Sequence, residues 1–312
     1  MRPWAIPVRT GTSPAMPGAG LFHLLVLYVV WGTTFLAIRI ALHHGIGPLW
    51  LGSIRLSIAG VALLLIAAVG GRSLRLARGD ASKLAVASLL LWVGGNGFVL
   101  WAETRVESSY AALVLAATPI WAGVIEAMVE RRMPHPRLVG WWLVGLSAIA
   151  LLSGSELVNV DLHASGTPLG TLALVVASLC WSAGMIVQRR RPIDLAPSVS
   201  AAYQMIFAGV IFSALALMFG EPMAEPDAQA WRAIAYLIVF GSIIAYTSFA
   251  AALRELPSAV LMTHAYVNPV VAVVLGWLVL NERLTAVTAV GAVLVLASVA
   301  GVFRHGASTG SS

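Results

Sequence analysis

WGTTFLAIR (Trp31–Arg39) is a run of small and apolar residues closed by a charge, and a relative of it, WSAGMIVQR (Trp181–Arg189), returns later in the chain. The two tryptophans stand 150 residues apart, and so do the two arginines. Thr118-Pro119 and Asn268-Pro269 keep the same offset, and IAGVALLL after Arg55 resembles FAGVIFSAL after Gln204, one residue out of step. Matched Trp, Arg and Pro at one offset argue against a chance likeness of two alanine-rich apolar chains. The sequence reads as one unit written twice.

The nature of that unit follows from composition. Hydrophobic residues make up 59% of the chain and charged residues 10%, with a mean hydropathy of +0.89, outside the range of a soluble globular domain. Apolar runs near the roughly 20 residues that cross a bilayer as helix recur throughout. They predict spans at Leu21–Ala41, Pro48–Val69, Leu84–Trp101, Tyr110–Val129, Leu138–Leu152, Leu169–Val187, Val199–Phe219, Trp231–Ala252, Ser258–Leu280 and Leu284–Phe303. The expected fold is an all-α polytopic membrane protein of about ten transmembrane helices, five to each repeat. Five is odd, so the second repeat must enter the membrane in the opposite sense, giving inverted-topology repeats about a pseudo-twofold axis in the membrane plane.

Charge placement agrees. With the N-terminus inside, Arg39, Arg105, Arg232 and Arg283 fall outside and Arg55 lies within the second span, while every other Arg, with Lys83, falls on the cytoplasmic side. This is the bias that retains loops in the cytoplasm. VERRMPHPR after the fourth span is arginine-rich, and its counterpart after the ninth, LNERLTA, has one Arg, so positive charge follows the side and not the repeat. The net charge of +6 thereby needs no nucleic acid. Residues 1–20, rich in Pro, Gly and small polar residues, are expected as a flexible cytoplasmic tail. Repeats at 21–153 and 168–303 follow, then a cytoplasmic tail at 304–312, with the whole chain in the cell inner membrane. No small-residue cleavage site follows the first span, so it is expected to stay.

These stretches together resemble the drug/metabolite transporter superfamily, in its ten-helix EamA-type permease branch. The resemblance covers nearly the whole chain after the tail and rests on WGTTFLAIR, IRLSIAGVALLL, AATPIWAGVIEAMVERR, CWSAGMIVQR, YQMIFAGVIF and HAYVNPVVAVVLGWLVLNERLTAVTAVGAVLVLASV. It implies an inner-membrane carrier that exports amino acids or related metabolites. Helices of the first, third and fourth kind in each half would surround a central cavity, with the last of each half peripheral.

Candidate binding residues are the polar and aromatic side chains that sit deep in spans. Arg55 lies about 10 Å inside its helix at 1.5 Å per residue, where an ionisable group points to function; a structural pair with Glu103 or backbone carbonyls is the alternative. Its repeat mate is Gln204. His264 and Asn268 share a helix face, and Pro269 leaves the Ala265 carbonyl without its usual donor. Thr118 and Pro119 repeat the arrangement in the other half, and Pro119 and Pro269 are the candidate helix hinges. Asn96, within GGNG, lies one turn from Trp92, and Tyr246 is mid-span. Trp31 and Trp181 hold equivalent positions in the two halves. For each, packing or a cross-helix hydrogen bond is the competing account. Trp101, Trp141 and Trp142 read as an interface belt, and Glu126 as a group meeting water or Arg131.

The sequence therefore predicts a secondary transporter, not an enzyme, that moves amino acids or similar neutral or zwitterionic metabolites by alternating access. The partners are a small-molecule solute and the lipid bilayer, with protons left open as a coupling ion through His264. No cofactor or metal is expected, and Cys180, the single cysteine, excludes a disulfide framework. An efflux permease for drugs or other metabolites is the alternative within the superfamily. An intramembrane enzyme would need a clustered nucleophile and base, and neither a zinc pair nor a nucleophile elbow is present. A non-transporting scaffold or receptor would bind a ligand without counterflow.

Overall fold

The computed structural model describes residues 18–77, 79–106, 108–152, 167–223, 225–271 and 286–306. These are all helix and connecting turn, without strands. The helices are α1 (Gly18–His43), α2 (Pro48–Val69), α3 (Asp80–Ala102), α4 in two pieces (Ser108–Leu115 and Thr118–Glu130), α5 (Pro136–Leu152), α6 (Thr167–Arg190), α7 (Pro197–Met218), α8 (Ala228–Glu255), α9 in two pieces (Ser258–Leu261 and 264–271) and α10 (Ala286–Gly306). They correspond to the ten expected spans, and α2 has the expected bounds. Outside the described residues lie most of the N-terminal tail, GSELVNVDLHASG between the repeats, the last part of the ninth span with LNER, and the end of the C-terminal tail.

Six helices, α1, α2, α3, α6, α7 and α8, are each long and apolar enough to cross a membrane. Their outward faces carry Phe22, Leu25 and Val29 on α1 and Leu65, Ile66 and Val69 on α2, all exposed, as a hydrocarbon solvent requires. Proline opens α2 and α7, where the missing N–H costs nothing. Glu221 crosses from the other repeat to cover the start of α2, accepting from Leu49 N at 3.2 Å and Trp50 N at 2.8 Å. Asp227 caps α8 through Gln229 N and Ala230 N, and bonds His44 Nδ1 at 2.7 Å.

Two departures from uniform helix bear on function. α3 and α8 each contain an eight-residue π-helical segment, Leu89–Asn96 and Leu237–Ile244, at equivalent positions in the two repeats. Such widened turns re-aim side chains and recur at functional sites. The second departure is the interruption of α4 and α9. In α4 it falls at Ala116-Ala117, just before Pro119, which lies in the first turn of the second piece. Pro119 has no N–H for the Leu115 carbonyl, and Thr118 Oγ1 donates to that oxygen instead. In α9 the interruption is at Met262-Thr263, ahead of Pro269, and Thr263 Oγ1 donates to Val260 O at 2.6 Å.

The repeats interlock. α2 and α7 pack on each other across small residues: a Cβ on Gly60 would lie 2.9 Å from Ala202 O and Ile206 N, and one on Gly209 would lie 2.9 Å from Ser57 N. Backbone contact of this kind drives helix association where no water remains to be released. α5 and α10 form a separate pair, joined by Ser298 Oγ donating to Trp141 O at 2.6 Å. Trp142 is buried there against Gly123, and Tyr266 donates to its carbonyl, so it is packing and not interface belt. α1 lies on α8, and α6 on α3 and α4.

Gly60→Val would force the α2 and α7 backbones apart, an overpacking cost of about 1–3 kcal/mol or more; the expected outcome is loss of the monodisperse peak in detergent size exclusion. At α8, the Ala230 N–H, with His44 second, holds the Asp227 carboxyl below its usual range. The cap's stabilisation is present above the ordinary carboxylate range and is lost as pH falls through that lowered value. Asp227→Asn, which keeps an acceptor, should flatten this part of the acid dependence of thermal unfolding.

Candidate functional site

A cavity of about 110 Å³ lies at the centre of the molecule, walled by α1, α2, α3, α4, α6 and α9. It has room for several waters or a small solute. On α1, α2, α3 and α4 its wall residues lie in the half away from the face bearing Arg131, Arg189 and Arg254, here called the basic face, while Trp181 on α6 and His264 on α9 stand nearer that face. Trp31 and Trp181, the residues that announced the repeat, meet edge to face with ring centroids 5.4 Å apart. His264 stands edge-on to Trp31 at 4.8 Å, and buried Phe249 lies against both tryptophans at 5.5 and 5.2 Å. This aromatic layer forms the cavity floor.

The candidate residues Trp31, Arg55, Trp92, Asn96, Thr118, Trp181, His264 and Asn268 all reach this wall, as does Pro269. Arg55, 2% exposed, donates through Nε to Ser242 Oγ at 2.7 Å, and its guanidinium carbon is 5.8 Å from the Trp92 ring centroid. Its Nη1 has no hydrogen-bond partner, and no carboxylate of the described residues lies within ion-pairing distance of it. Trp181 Nε1, Asn96 Oδ1, Asn268 Oδ1 and both ring nitrogens of His264 also lack partners. A buried polar atom without a partner is costly, and here such atoms converge on one space.

Two candidates are not on the wall in this way. Tyr246 is fully buried behind Trp92, with ring centroids 4.6 Å apart, and its hydroxyl donates to Gln204 Oε1 at 2.6 Å. Gln204 Nε2 in turn donates to Ser200 Oγ. The repeat mate of Arg55 is thus a structural hub. Pro119 lies beside the wall residue Thr118, which also bonds Ser178 Oγ at 3.2 Å. The wall residues that sequence reasoning missed are Thr34, Phe35, Ile38, Gly95 and Val99 among others. Their signal was present: 31, 34, 35, 38 and 92, 95, 96, 99 both follow the spacing of one helical face.

Between the aromatic layer and the basic face the repeats are tied together. Tyr28 OH and Thr263 Oγ1 share a hydrogen bond of 2.7 Å. Deeper, Arg189 on α6 donates to Ser258 Oγ, to Leu256 O and, at 3.3 Å, to Leu253 O. Ser258 Oγ donates onward to Glu126 at 3.0 Å, so Glu126 joins this cluster and does not face Arg131.

Comparison with known proteins accords with this architecture. The model of the EamA-like transporter family matches residues 18–154 and again 168–304. The chain belongs to the EamA-like transporter family. It is similar to the uncharacterized inner membrane transporter YedA of Escherichia coli K12, at 33% identity over 81% of this chain and 80% of that one. It is also similar to an S-adenosylmethionine/S-adenosylhomocysteine transporter of Chlamydia trachomatis, at 27% identity over 89% and 87% of the two chains. A crystal structure 19% identical in sequence superposes with a TM-score of 0.78 over 94% of this chain and 98% of that one, and shows the same fold.

Tyr246→Phe leaves Gln204 Oε1 buried without its donor, a loss of about 1–3 kcal/mol. The expected outcome is a lower unfolding temperature with solute affinity little changed; the reverse result would put Tyr246 in contact with solute.

Proposed function

We propose that this membrane transporter exports small metabolites carrying an amino-acid head, by alternating access of its two repeats, and that it is a carrier and not an enzyme. Both termini then lie in the cytoplasm of a cell whose inner membrane holds the protein, with the basic face inside. The observation that carries the reading is Arg55. A guanidinium that deep is expensive in a membrane protein unless something answers its charge, and its free Nη1 on the cavity wall suits a carboxylate, which Arg binds through two parallel bonds. On the same cavity wall, Asn96 Oδ1, Asn268 Oδ1 and a ring nitrogen of His264 are without partners and offer acceptors to an ammonium. The Chlamydia relative supports this reading, since S-adenosylmethionine and S-adenosylhomocysteine both end in an amino-acid head.

The test uses liposomes loaded with one radiolabelled amino acid at a time, with protein-free liposomes as background. Efflux of at least one amino acid is expected, with the matching carboxamide left behind. Arg55→Gln should slow it by about tenfold or more, the scale of a charge-assisted hydrogen bond of about 1.5–3 kcal/mol, and Asn268→Ala should slow it too. Efflux of aromatic drugs but of no amino acid would instead favour the efflux-permease reading. Collapse of an imposed pH gradient decides whether protons take part, through His264 as the titratable wall residue that is not an arginine.

A further inference from the structure

The arginine contact of the inner closure is made by one repeat only. Arg189, at the end of α6, reaches the C-terminal carbonyls of α8, Leu253 O and Leu256 O, and Ser258 Oγ at the start of α9. These carbonyls are the ones a helix end leaves unsatisfied, at the negative pole of its dipole. α6 packs on α3 and α4, so this arginine ties that group of helices to the α8–α9 turn. The repeat mate of Arg189 is Arg39, at the end of α1 and on the opposite face. Arg39 is half-buried and makes no hydrogen bond or ion pair with any described residue. At the same offset of 150, Val106 stands for Leu256 and Ser108 for Ser258, so the α3–α4 turn is the counterpart of the α8–α9 turn.

We propose that Arg39 is a residue of the transport cycle, the latch of the opposite face, which closes on the α3–α4 turn when Arg189 lets go of the α8–α9 turn. In this structure the basic face is latched and Arg39 is idle, and in the alternate state the roles exchange. The C-terminal end of α3 presents the same negative pole to the opposite face. Arg105 already covers Trp101 O there, at 3.3 Å, while lying 3.5 Å over the Trp101 ring, and in the alternate state Arg39 takes the carbonyls beyond it. Two latches of one chemistry, each made when the other is broken, keep the two end states close in energy, as a carrier that must visit both requires.

The test needs no solute, so its failure is separate from that of the amino-acid reading. In a Cys180→Ala background, Ala112→Cys places one thiol on the cavity wall, and spheroplasts are treated with a membrane-impermeant maleimide. Arg189→Ala should lower the labelling rate by about tenfold, the scale of one charge-assisted hydrogen bond, because the unlatched protein moves to the state closed on the outside. Adding Arg39→Ala should restore most of the lost labelling. Ser258→Ala replaces Arg189→Ala should the latter fail to give monodisperse protein. The proposal is overturned if weakening the inner latch leaves labelling unchanged, or if Arg39→Ala fails to restore it in protein that labels fully once denatured.

Discussion

The bilayer offers no water to a stranded polar group, and this constraint organises the whole molecule. Every backbone N–H and C=O in a span needs a partner within the protein, which is why the described residues are helix and connecting turn, and why at the interruption of α4 the Thr118 hydroxyl turns back onto the carbonyl that Pro119 leaves without its donor, while at that of α9 Thr263 bonds Val260 O through both its hydroxyl and its N–H. Many side chains obey the same rule. Ser53 bonds Ser213, Ser88 bonds Gln204 O and Tyr246 bonds Gln204 Oε1. Against that background the unpartnered atoms of Arg55, Asn96, His264 and Asn268 stand out by their shared location. Their cost is tolerable where they line a space that a solute or water can enter.

The scaffold is symmetric and the site is not. The π-helical segments of α3 and α8, the glycines Gly60 and Gly209, and the edge-to-face pair of Trp31 and Trp181 all have counterparts under the pseudo-twofold. So does the contact of α6 on the first bend, where Ser182 Oγ donates to Thr118 O, and of α1 on the second, where a Cβ on Gly32 would sit 3.2 Å from Asn268 O. The cavity wall breaks the pattern: Arg55 stands opposite Gln204, and Asn268 opposite Thr118. In the proposed cycle, duplication supplies the two states, and divergence at a few wall positions supplies the preference for a solute.

Much of this was legible in the sequence because membrane helices announce themselves by length and hydropathy, and because Trp31, Arg39, Trp181 and Arg189 preserve the register of an old duplication. The bounds of α2 came out as expected since Pro48 and Gly70 mark its ends. Burial depth made Arg55, His264 and Asn268 conspicuous. What the sequence hid depends on distance between helices. The π-helical segments leave no compositional mark, and LLLWVGGN and LIVFGSII share little beyond small residues and apolarity. Tyr246 and Trp92 are both mid-span aromatics, and only the packing of α8 behind α3 shows that one screens the other from the cavity. Trp142 resembles any tryptophan near a membrane surface until Gly123 is found beneath it.

The distribution of contact types suits the proposed alternating access. α2 and α7 meet backbone to backbone, with no slack for a methyl group, and such an interface has one arrangement. The centre is built otherwise. Trp31, Trp181, Phe249 and His264 meet through ring edges, contacts worth about 0.5–1.5 kcal/mol each beyond their burial, and rings of this kind can slide and tilt while keeping most of that energy. Beyond them the closure of the basic face rests on Tyr28 with Thr263 and on Arg189 with its carbonyls, a few polar bonds that can be exchanged for water at a surface. Rigid pairs at the periphery and exchangeable contacts along the axis are what the proposed rocking of two groups of helices about the tryptophan pair would require.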